Sequence, residues 1–337
     1  MNIAHIDTDK EVLVIAEIGN NHEGSCSLAE EMIYLAGRAG AGAVKFQTYK
    51  TELFVRKKDK DRFNRLKSFE LTNAEFEKLS KVAKTAGMLF ISTPLDLESA
   101  MFLNTIVDAY KIASGDNNFY PLIEAIARTG KPIIMSSGLA DIDQMKKSQK
   151  LVHKIWKDND LQQDLAILHC VSAYPVIPEQ ANLKAINFLQ DKLDCTIGYS
   201  DHTVGIDASL IAVALGARII EKHFTIDKNH SDFRDHKLSA DYEEFKRLVE
   251  KTRTVSLMMG NGRKILQESE INLMEQSRRS IVAKRNLPKG VELKMEDITW
   301  LRPANALQPG QECLLIGKKL SKSIRSGEPI TLECVID

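Results

Sequence analysis

The sequence predicts an α/β protein in which a (β/α)8 TIM barrel is followed by a small β-rich domain. From Val12 to about Gly260, short β-branched runs alternate with longer segments of helical periodicity, and eight such units can be counted. The strand candidates are nearly continuous in apolar residues, as expected for strands that are covered on both faces. After Gly260 this alternation stops, which predicts a second domain.

The eight predicted strands are separated by segments with apolar residues at three- and four-residue spacing. Two of these segments, SLAEEMIYLAGRAG and AEFEKLSKVAKTAG, close on glycine, a common helix C-terminal signal. The predicted strands are residues 12–19, 43–48, 89–94, 109–114, 132–137, 165–170, 195–201 and 218–224.

The domain boundaries follow from the change of pattern. Residues 1–260 are predicted to form the barrel, and residues 261–279, with GNGRK and the charged ESEINLMEQSRR, a linker. Residues 280–337 contain short strand-like runs and turns of the form PKG and SGEP, which indicate the β-rich domain.

Composition excludes several classes of partner and location. Lys plus Arg and Asp plus Glu both number 46, so we expect no nucleic-acid or membrane partner and instead a small molecule. The five cysteines contain no CxxC pair, which argues against a disulfide framework and favours a cytoplasmic location. We find no apolar signal-peptide core and no stretch of about 20 apolar residues, so neither a leader nor a membrane span is expected.

Polar side chains lie at the end of almost every predicted strand. Because barrel active sites form at the C-terminal ends of the strands, we expect these residues to converge on one site. They are Glu17, Lys45, Gln47, Thr93, Lys111, Ser114, Ser136, His169, Ser200, His202, Lys222 and His223.

Two histidines give the most specific local signal. His202 lies in GYSDHT and His223 in EKHFT, each at the end of a neighbouring predicted strand. Imidazole is a common transition-metal ligand, and two imidazoles with open positions describe a catalytic metal site. We therefore predict that both histidines bind a metal. His169 has no such partner motif and is interpreted as structural.

The buried lysines predict an anionic substrate. Lys45 and Lys111 are costly inside a barrel unless an anion meets them. Thr93, Ser114, Ser136 and Ser200 supply hydroxyl donors, so the site suits a phosphate and a carboxylate. Glu17 is assigned either to proton transfer or sugar binding, or simply to pairing with a lysine.

Eight motifs in order carry a family resemblance. They are AEIGNNHEG, VKFQTY, FISTP, YKIASGDNN, KPIIMSSG, HCVSAYP, IGYSDHT and EKHFT. In order and spacing they resemble the sialic acid synthase family, and the tail from Ser280 resembles that family's antifreeze-like (SAF) domain. The resemblance implies condensation of phosphoenolpyruvate with an N-acyl hexosamine, most simply N-acetylmannosamine. Alternative products are legionaminic acid, pseudaminic acid or N-acetylneuraminate 9-phosphate.

The resemblance also implies roles for individual residues. His202 and His223 would hold Mn²⁺, or alternatively Mg²⁺ or Co²⁺, as a Lewis acid. Arg302 would reach the sugar's N-acyl group from a partner subunit, which implies a domain-swapped homodimer. Lys45, Lys111, Thr93, Ser114, Ser136 and Ser200 match the phosphoenolpyruvate positions, and Glu17, Gln47, Asp116, Tyr174 and Asp235 match the sugar positions.

The departures from the family pattern fall around the sugar. Asp116 replaces the Glu of many bacterial relatives, and Ser172 stands where some members have Asn. Residues 227–234 read DKNHSDFR, so Asp232 competes with Asp235 as the matching carboxylate.

Two other functions compete with the synthase. One is a metal-dependent aldolase or another phosphoenolpyruvate-dependent synthase, which leaves the tail and Arg302 without a role. The other is an ice- or polysaccharide-binding protein, which conflicts with a tail rich in lysine and with a barrel lined by lysines.

Overall fold

A computed structural model describes residues 1–337 as two compact units, Met1–Gly260 and Asn261–Asp337. In the first unit, eight parallel strands form a closed barrel, in which the last strand pairs with the first. The predicted fold class is therefore confirmed. Each observed strand begins within one residue of its predicted start, because the apolar runs that predict the strands are the segments buried on both faces.

The barrel unit contains ten strands and eleven α-helices. Strands β1 (Asn2–Ile3) and β2 (Ile6–Asp7) form a short N-terminal hairpin that the sequence pattern does not predict. The barrel strands are β3 (Leu13–Gly19), β4 (Ala43–Thr48), β5 (Leu89–Pro94), β6 (Ala109–Ile112), β7 (Ile133–Ser136), β8 (Leu165–Cys170), β9 (Thr196–Asp201) and β10 (Ile219–His223). The helices are α1 (Cys26–Arg38), α2 (Thr51–Phe54), α3 (Lys60–Phe69), α4 (Asn73–Thr85), α5 (Leu97–Leu103), α6 (Tyr120–Ala127), α7 (Ile142–Asp158), α8 (Ala185–Lys192), α9 (Asp207–Ala214), α10 (Asp235–Leu238) and α11 (Tyr242–Met259).

Side chains alternate along each barrel strand between the interior and the helix layer. One buried apolar cluster fills the barrel interior toward the N-terminal ends of the strands. Its strand residues are Leu13, Ile15, Ala43, Leu89, Ile91, Ala109, Ile134, Ala166, Leu168 and Ile219. Met1, Ile3 and Ile6 of the N-terminal hairpin belong to the same cluster and extend it beyond the strands. The intervening residues, such as Val14 and Phe46, pack with the helices. Continuing the interior series toward the C-terminal ends gives the polar residues of the site.

Local capping explains where several helices begin. Thr72 and Glu75 form a capping box at the start of α4, in which each side chain hydrogen-bonds the other's backbone. Asp141 and Asp241 cap α7 and α11 by accepting from a backbone N–H of the first turn. These caps fix the helix starts directly after the loops that follow the strands.

Helices α2 and α3 form an insertion between β4 and α4 that the sequence pattern did not reveal. Because the insertion follows a barrel strand, it lies on the C-terminal side of the barrel. Arg62, Arg65, Leu66 and Phe69 of this insertion line the cavity described below.

The second unit has its own apolar core. It contains α12 (Glu268–Ser277) and strands β11 (Ser280–Ala283), β12 (Ile298–Leu301), β13 (Lys319–Leu320) and β14 (Val335–Ile336). Its strands pair as two small antiparallel sheets around Ile281, Leu293 and Leu320. The segment predicted as a linker, 261–279, contains helix α12. In neither unit does any helix have the length and apolar composition needed to cross a membrane.

Candidate active site

A cavity of about 1210 Å³ lies at the C-terminal ends of the barrel strands. Thirteen of the site residues predicted in the barrel line it: Glu17, Lys45, Gln47, Thr93, Lys111, Ser114, Asp116, Ser136, Tyr174, Ser200, His202, His223 and Asp235. The competing carboxylate, Asp232, also lines it. Arg302 lies in the second unit, where it is exposed and follows β12.

The strand register explains why these side chains converge. Glu17 on β3 lies beside Lys45 on β4 and beside His223 on β10. Ser200 on β9 lies beside Glu221 on β10. All five residues belong to the inward-facing series of their strands, so they project into one space above the apolar layer.

An ion-pair group occupies the floor of the cavity. The Lys45 Nζ atom lies 2.8 Å from Glu17 Oε2 and 3.8 Å from Glu221 Oε2, and Lys111 Nζ lies 3.4 Å from Glu221 Oε2. All four side chains are buried. The expectation that both lysines require an external anion is therefore wrong, because the carboxylates of Glu17 and Glu221 already form ion pairs with them.

Hydroxyl groups complete this floor. Lys111 donates to Ser136 Oγ at 2.6 Å, and Ser200 donates to Glu221 Oε1 at 2.9 Å. Lys45 donates to Thr93 Oγ1 at a longer 3.4 Å. The floor combines two cations, two carboxylates and three hydroxyls. It therefore presents hydrogen-bond donors without an excess of buried charge.

The two carboxylates differ in acidity. Burial alone would raise the pKa of Glu221, but Lys111, Lys45 and the Ser200 hydrogen bond outweigh it and hold the pKa at about 2. Burial also acts on Glu17, and there it prevails over the opposing effect of Lys45, so the pKa of Glu17 is raised. Two carboxylates whose pKa values are pushed apart are suited to different tasks.

The two histidines leave nitrogen atoms available to a metal. His202 Nδ1 lies 2.9 Å from the Val171 carbonyl oxygen, which can only accept, so the Nε2 lone pair is free. His223 Nδ1 is buried and has no hydrogen-bond partner. The ring centroids lie 5.4 Å apart. No group of three or more His, Cys, Asp or Glu side chains is placed to hold a metal ion.

The upper wall carries the residues predicted to contact a sugar. The Tyr174 ring lies 4.2 Å from the His202 ring, and the Arg234 guanidinium lies 4.8 Å over Tyr174. Burial raises the pKa of Asp116 to about 6. Asp235 is buried and pairs with Arg234 at 3.3 Å, whereas Asp232 is exposed.

A glycine shapes the wall next to Ser114. A Cβ atom at Gly138 would lie 2.6 Å from Ser114 Oγ and would also collide with Ser172 Oγ. Only glycine therefore lets both hydroxyls reach the cavity wall at this point.

Two residues of the predicted polar circuit lie outside the cavity. Lys222 was expected in the site, but its side chain pairs with Asp201 at 3.2 Å and is fully buried away from the cavity. The expectation was wrong because Lys222 lies between Glu221 and His223, whose side chains face inward, so the Lys222 side chain faces the helix layer. His169 contacts the Ala181 carbonyl at 2.9 Å and stacks on Tyr199, which agrees with its structural interpretation.

Several lining residues were missed. Glu221 and Cys170 follow the same two-residue alternation as their inward neighbours, so parity along the strand could have identified them. Asn20 and Glu23 lie within the motif AEIGNNHEG and Arg234 within DKNHSDFR but were not singled out, and no sequence signal marked Arg62 and Arg65.

Known proteins resemble the chain over nearly its whole length. The NeuB family profile matches residues 32–264 and the SAF domain profile matches residues 278–336. An N,N'-diacetyllegionaminic acid synthase of Legionella pneumophila is 36% identical, over 95% of this chain and 93% of the relative. The N-acetylneuraminate-9-phosphate synthase of Homo sapiens is 32% identical, over 96% of this chain and 92% of the relative.

A solved structure agrees with these sequence matches. The N-acetylneuraminic acid (sialic acid) synthetase of Leptospira borgpetersenii serovar Hardjo-bovis, in complex with citrate, is 36% identical and superposes with a TM-score of 0.75. The superposition covers 82% of this chain and 95% of that structure. The predicted resemblance is thus confirmed, and the chain belongs to the NeuB family of nonulosonic acid synthases and ends in a SAF domain.

Proposed function

We propose that the protein condenses phosphoenolpyruvate with an N-acyl mannosamine-type sugar, releasing phosphate and a nine-carbon 2-keto acid. The observation that carries this proposal is the combination of a donor-rich floor with two available imidazoles in one cavity. The first acceptor proposed is N-acetylmannosamine, which makes the protein an N-acetylneuraminate synthase. The names of the relatives support the same class of reaction.

Phosphoenolpyruvate would bind at the floor through Lys45 and Lys111. Burial opposes the charged form of both lysines and lowers the pKa of Lys111, whereas at Lys45 the carboxylates of Glu17 and Glu221 outweigh burial and raise the pKa. The Lys111 and Lys45 contacts to Glu221 are long, 3.4 Å and 3.8 Å, so both ammonium groups retain protons for substrate oxygens. The hydroxyls of Thr93, Ser114, Ser136 and Ser200 would complete the binding of the phosphate and carboxylate groups.

His202 and His223 would hold a divalent ion, for which Mn²⁺ is the first choice. When bound, such an ion supplies Lewis acidity at the aldehyde of the open-chain sugar. The free lone pair of His202 Nε2 and the unpartnered Nδ1 of His223 support this assignment.

The reaction forms one carbon–carbon bond and breaks one carbon–oxygen bond. C3 of phosphoenolpyruvate attacks the sugar aldehyde carbon, and the aldehyde oxygen takes a proton to become a hydroxyl. Water then adds at C2 and loses a proton, and the C2–O bond breaks to release phosphate. Glu17, with its raised pKa, is the proposed proton carrier.

The sugar would lie against the upper wall. Gln47, Asp116, Tyr174 and Asp235 offer hydrogen-bond partners for hydroxyl and amide groups. Arg302 from a second copy of the chain is the proposed partner of the N-acyl group, in a domain-swapped homodimer. Large exposed apolar side chains in the second unit, including Ile265, Leu266 and Leu273, support a protein interface on that unit.

Phosphate release from phosphoenolpyruvate tests the proposal. Purified protein with Mn²⁺ is incubated with N-acetylmannosamine, its 6-phosphate, or the diacetamido sugars that lead to legionaminic and pseudaminic acids. Acceptor-dependent release with a nine-carbon product by mass spectrometry is expected. In H₂¹⁸O the label should enter the keto acid and not the phosphate. Label in the phosphate, or no release with any acceptor, would overturn the proposal.

Substitution of a proposed metal ligand gives a separate check. His202→Ala should lower turnover by about 10³-fold, because it removes half of the protein donor set. Mn²⁺ binding, measured by electron paramagnetic resonance, should weaken in parallel. His153→Ala, an exposed histidine outside the cavity, is the matched control. Unchanged Mn²⁺ affinity in His202→Ala would refute the ligand assignment.

A further inference from the structure

The loop between β10 and α10 forms part of the cavity wall. Its residues Asp232, Phe233 and Arg234, together with Asp235 at the start of α10, line the cavity. Phe233 packs edge-on against Phe69 of α3, with ring centroids 5.3 Å apart. The loop therefore meets the α2–α3 insertion and closes one side of the cavity.

A single carboxylate, which also lines the cavity, anchors this loop. Glu23, in the loop between β3 and α1, accepts a hydrogen bond from Ser231 Oγ, and its Oε1 also lies 3.0 Å from His236 Nε2. Ser231 lies within the loop and His236 directly follows Asp235. The two contacts therefore hold the chain on either side of the segment Asp232 to Asp235.

The direction of one of these hydrogen bonds is fixed by the atoms involved, because the Glu23 carboxylate only accepts and His236 therefore donates to it through Nε2. On the other side of the ring, His236 Nδ1 lies 2.7 Å from Thr225 Oγ1, which also lies 2.9 Å from the Asp227 carbonyl oxygen. Although partial burial opposes it, the hydrogen bonds from Ser231 and His236 lower the pKa of Glu23, consistent with an ionised acceptor.

The anchored loop is linked to the proposed sugar and metal residues. Arg234 is held by Asp235 at 3.3 Å and lies 4.8 Å over the Tyr174 ring. Tyr174 in turn lies 4.2 Å from the His202 ring. By contrast, none of these contacts reaches Lys45 or Lys111 on the cavity floor.

We propose that Glu23 is a positioning residue for the acceptor sugar, because it holds the 226–236 loop and so presents Arg234, Asp235 and Tyr174 to that substrate. The proposal rests on the proposed function. The proposal predicts different effects on the two substrates. Loss of the Glu23 contacts should disturb the part of the cavity wall that binds the acceptor sugar and leave the phosphoenolpyruvate site on the cavity floor intact.

Steady-state kinetics with both substrates tests the separation. Glu23→Ala should raise the acceptor KM about tenfold or more, the effect of losing hydrogen bonds to a charged group. Phosphoenolpyruvate affinity, measured by calorimetry without acceptor, should change less than about twofold. Glu23→Gln, which keeps one accepting oxygen, should recover part of the loss. Glu31→Gln, an exposed glutamate on α1 with no ion pair, should behave as wild type.

A double-mutant cycle with Ser231→Ala distinguishes anchoring from direct sugar contact. If Glu23 acts through the loop, the two substitutions are strongly non-additive, since either one breaks the same anchor. Additive effects on the acceptor KM would overturn the proposal, as would a wild-type acceptor KM in Glu23→Ala.

Amide hydrogen exchange tests the anchoring of the loop without measuring turnover. Amides of residues 226–236 should exchange faster in Glu23→Ala than in wild type. If wild type releases no phosphate with any acceptor, the proposed function fails, and the exchange result still decides whether Glu23 anchors the loop. Unchanged exchange in that loop would refute the anchoring.

Discussion

Two buried ion-pair groups lie on opposite faces of the barrel sheet, and they differ in how completely their hydrogen-bonding groups are satisfied. The outer pair joins Lys222 to Asp201 at 3.2 Å. Asp201 also accepts from the Thr203 backbone and hydroxyl, both at 2.8 Å, and from Ser209 at 2.6 Å, while Lys222 donates to the Thr203 carbonyl. Every strong acceptor in this group is occupied.

The inner group has spare capacity. Apart from the 2.8 Å contact of Lys45 with Glu17, the lysine nitrogens lie 3.4 and 3.8 Å from Glu221 Oε2, so this group is loosely paired. Each ammonium group has three N–H donors, and those that are not engaged remain available to an anionic ligand in the cavity. Burial of a lysine alone therefore does not indicate a ligand-binding site, whereas unused hydrogen-bonding capacity that faces a cavity does.

The largest expected effect comes from breaking the outer pair. Asp201→Ala should lower the free energy of unfolding by about 3–5 kcal/mol, since it leaves Lys222 buried without a counter-ion. Urea unfolding measures this loss. The double variant Asp201→Leu, Lys222→Met should recover much of it, because an apolar pair needs no compensation. A single variant as stable as wild type would contradict the structural role.

Breaking the inner group should instead affect catalysis. Lys111→Met should lower kcat/KM by about 10²–10³-fold, the usual effect of losing a charged donor in an active site. Stability should change little, because Glu221 keeps Lys45 and Ser200 as partners. Lys147→Met, an exposed lysine on α7, is the control. A large loss of stability with normal turnover would assign the inner group to structure.

The smallest effect concerns a single carboxyl at the cavity wall. Burial raises the pKa of Asp116 to about 6, above an unfolded value of about 3.9. The protonated form is thus favoured in the folded state, and the wild type loses stability as pH rises from about 4 to about 6. Asp116→Asn does not titrate, so its melting temperature relative to wild type should rise across this window and level off above it. A difference that is constant with pH would contradict the raised pKa.

The sequence was sufficient to predict the barrel and most of its lining. Apolar runs buried on both faces identify strands because few other elements are so uniformly apolar, and all eight predicted strands lie in the barrel. Lys45, Lys111, His202 and His223 stood out because such residues are unusual at the ends of these runs.

The remaining features of the site could not be predicted from composition and residue spacing. Lys222 was placed in the site and Glu221 omitted, although they are neighbours, because side-chain parity along β10 was not applied. The α2–α3 insertion and the anchor at Glu23 arise from contacts between segments far apart in sequence, such as Glu23 with His236. No local pattern encodes such contacts.

The central claim is that the inner ion-pair group binds phosphoenolpyruvate. Calorimetric titration of phosphoenolpyruvate into wild type, Lys111→Met and Lys147→Met tests it without requiring the correct acceptor. We expect Lys111→Met to weaken binding by at least about tenfold, the value of one charged hydrogen bond, and Lys147→Met to bind as wild type. Equal affinity for all three proteins would contradict the claim and remove the anion site from the barrel floor.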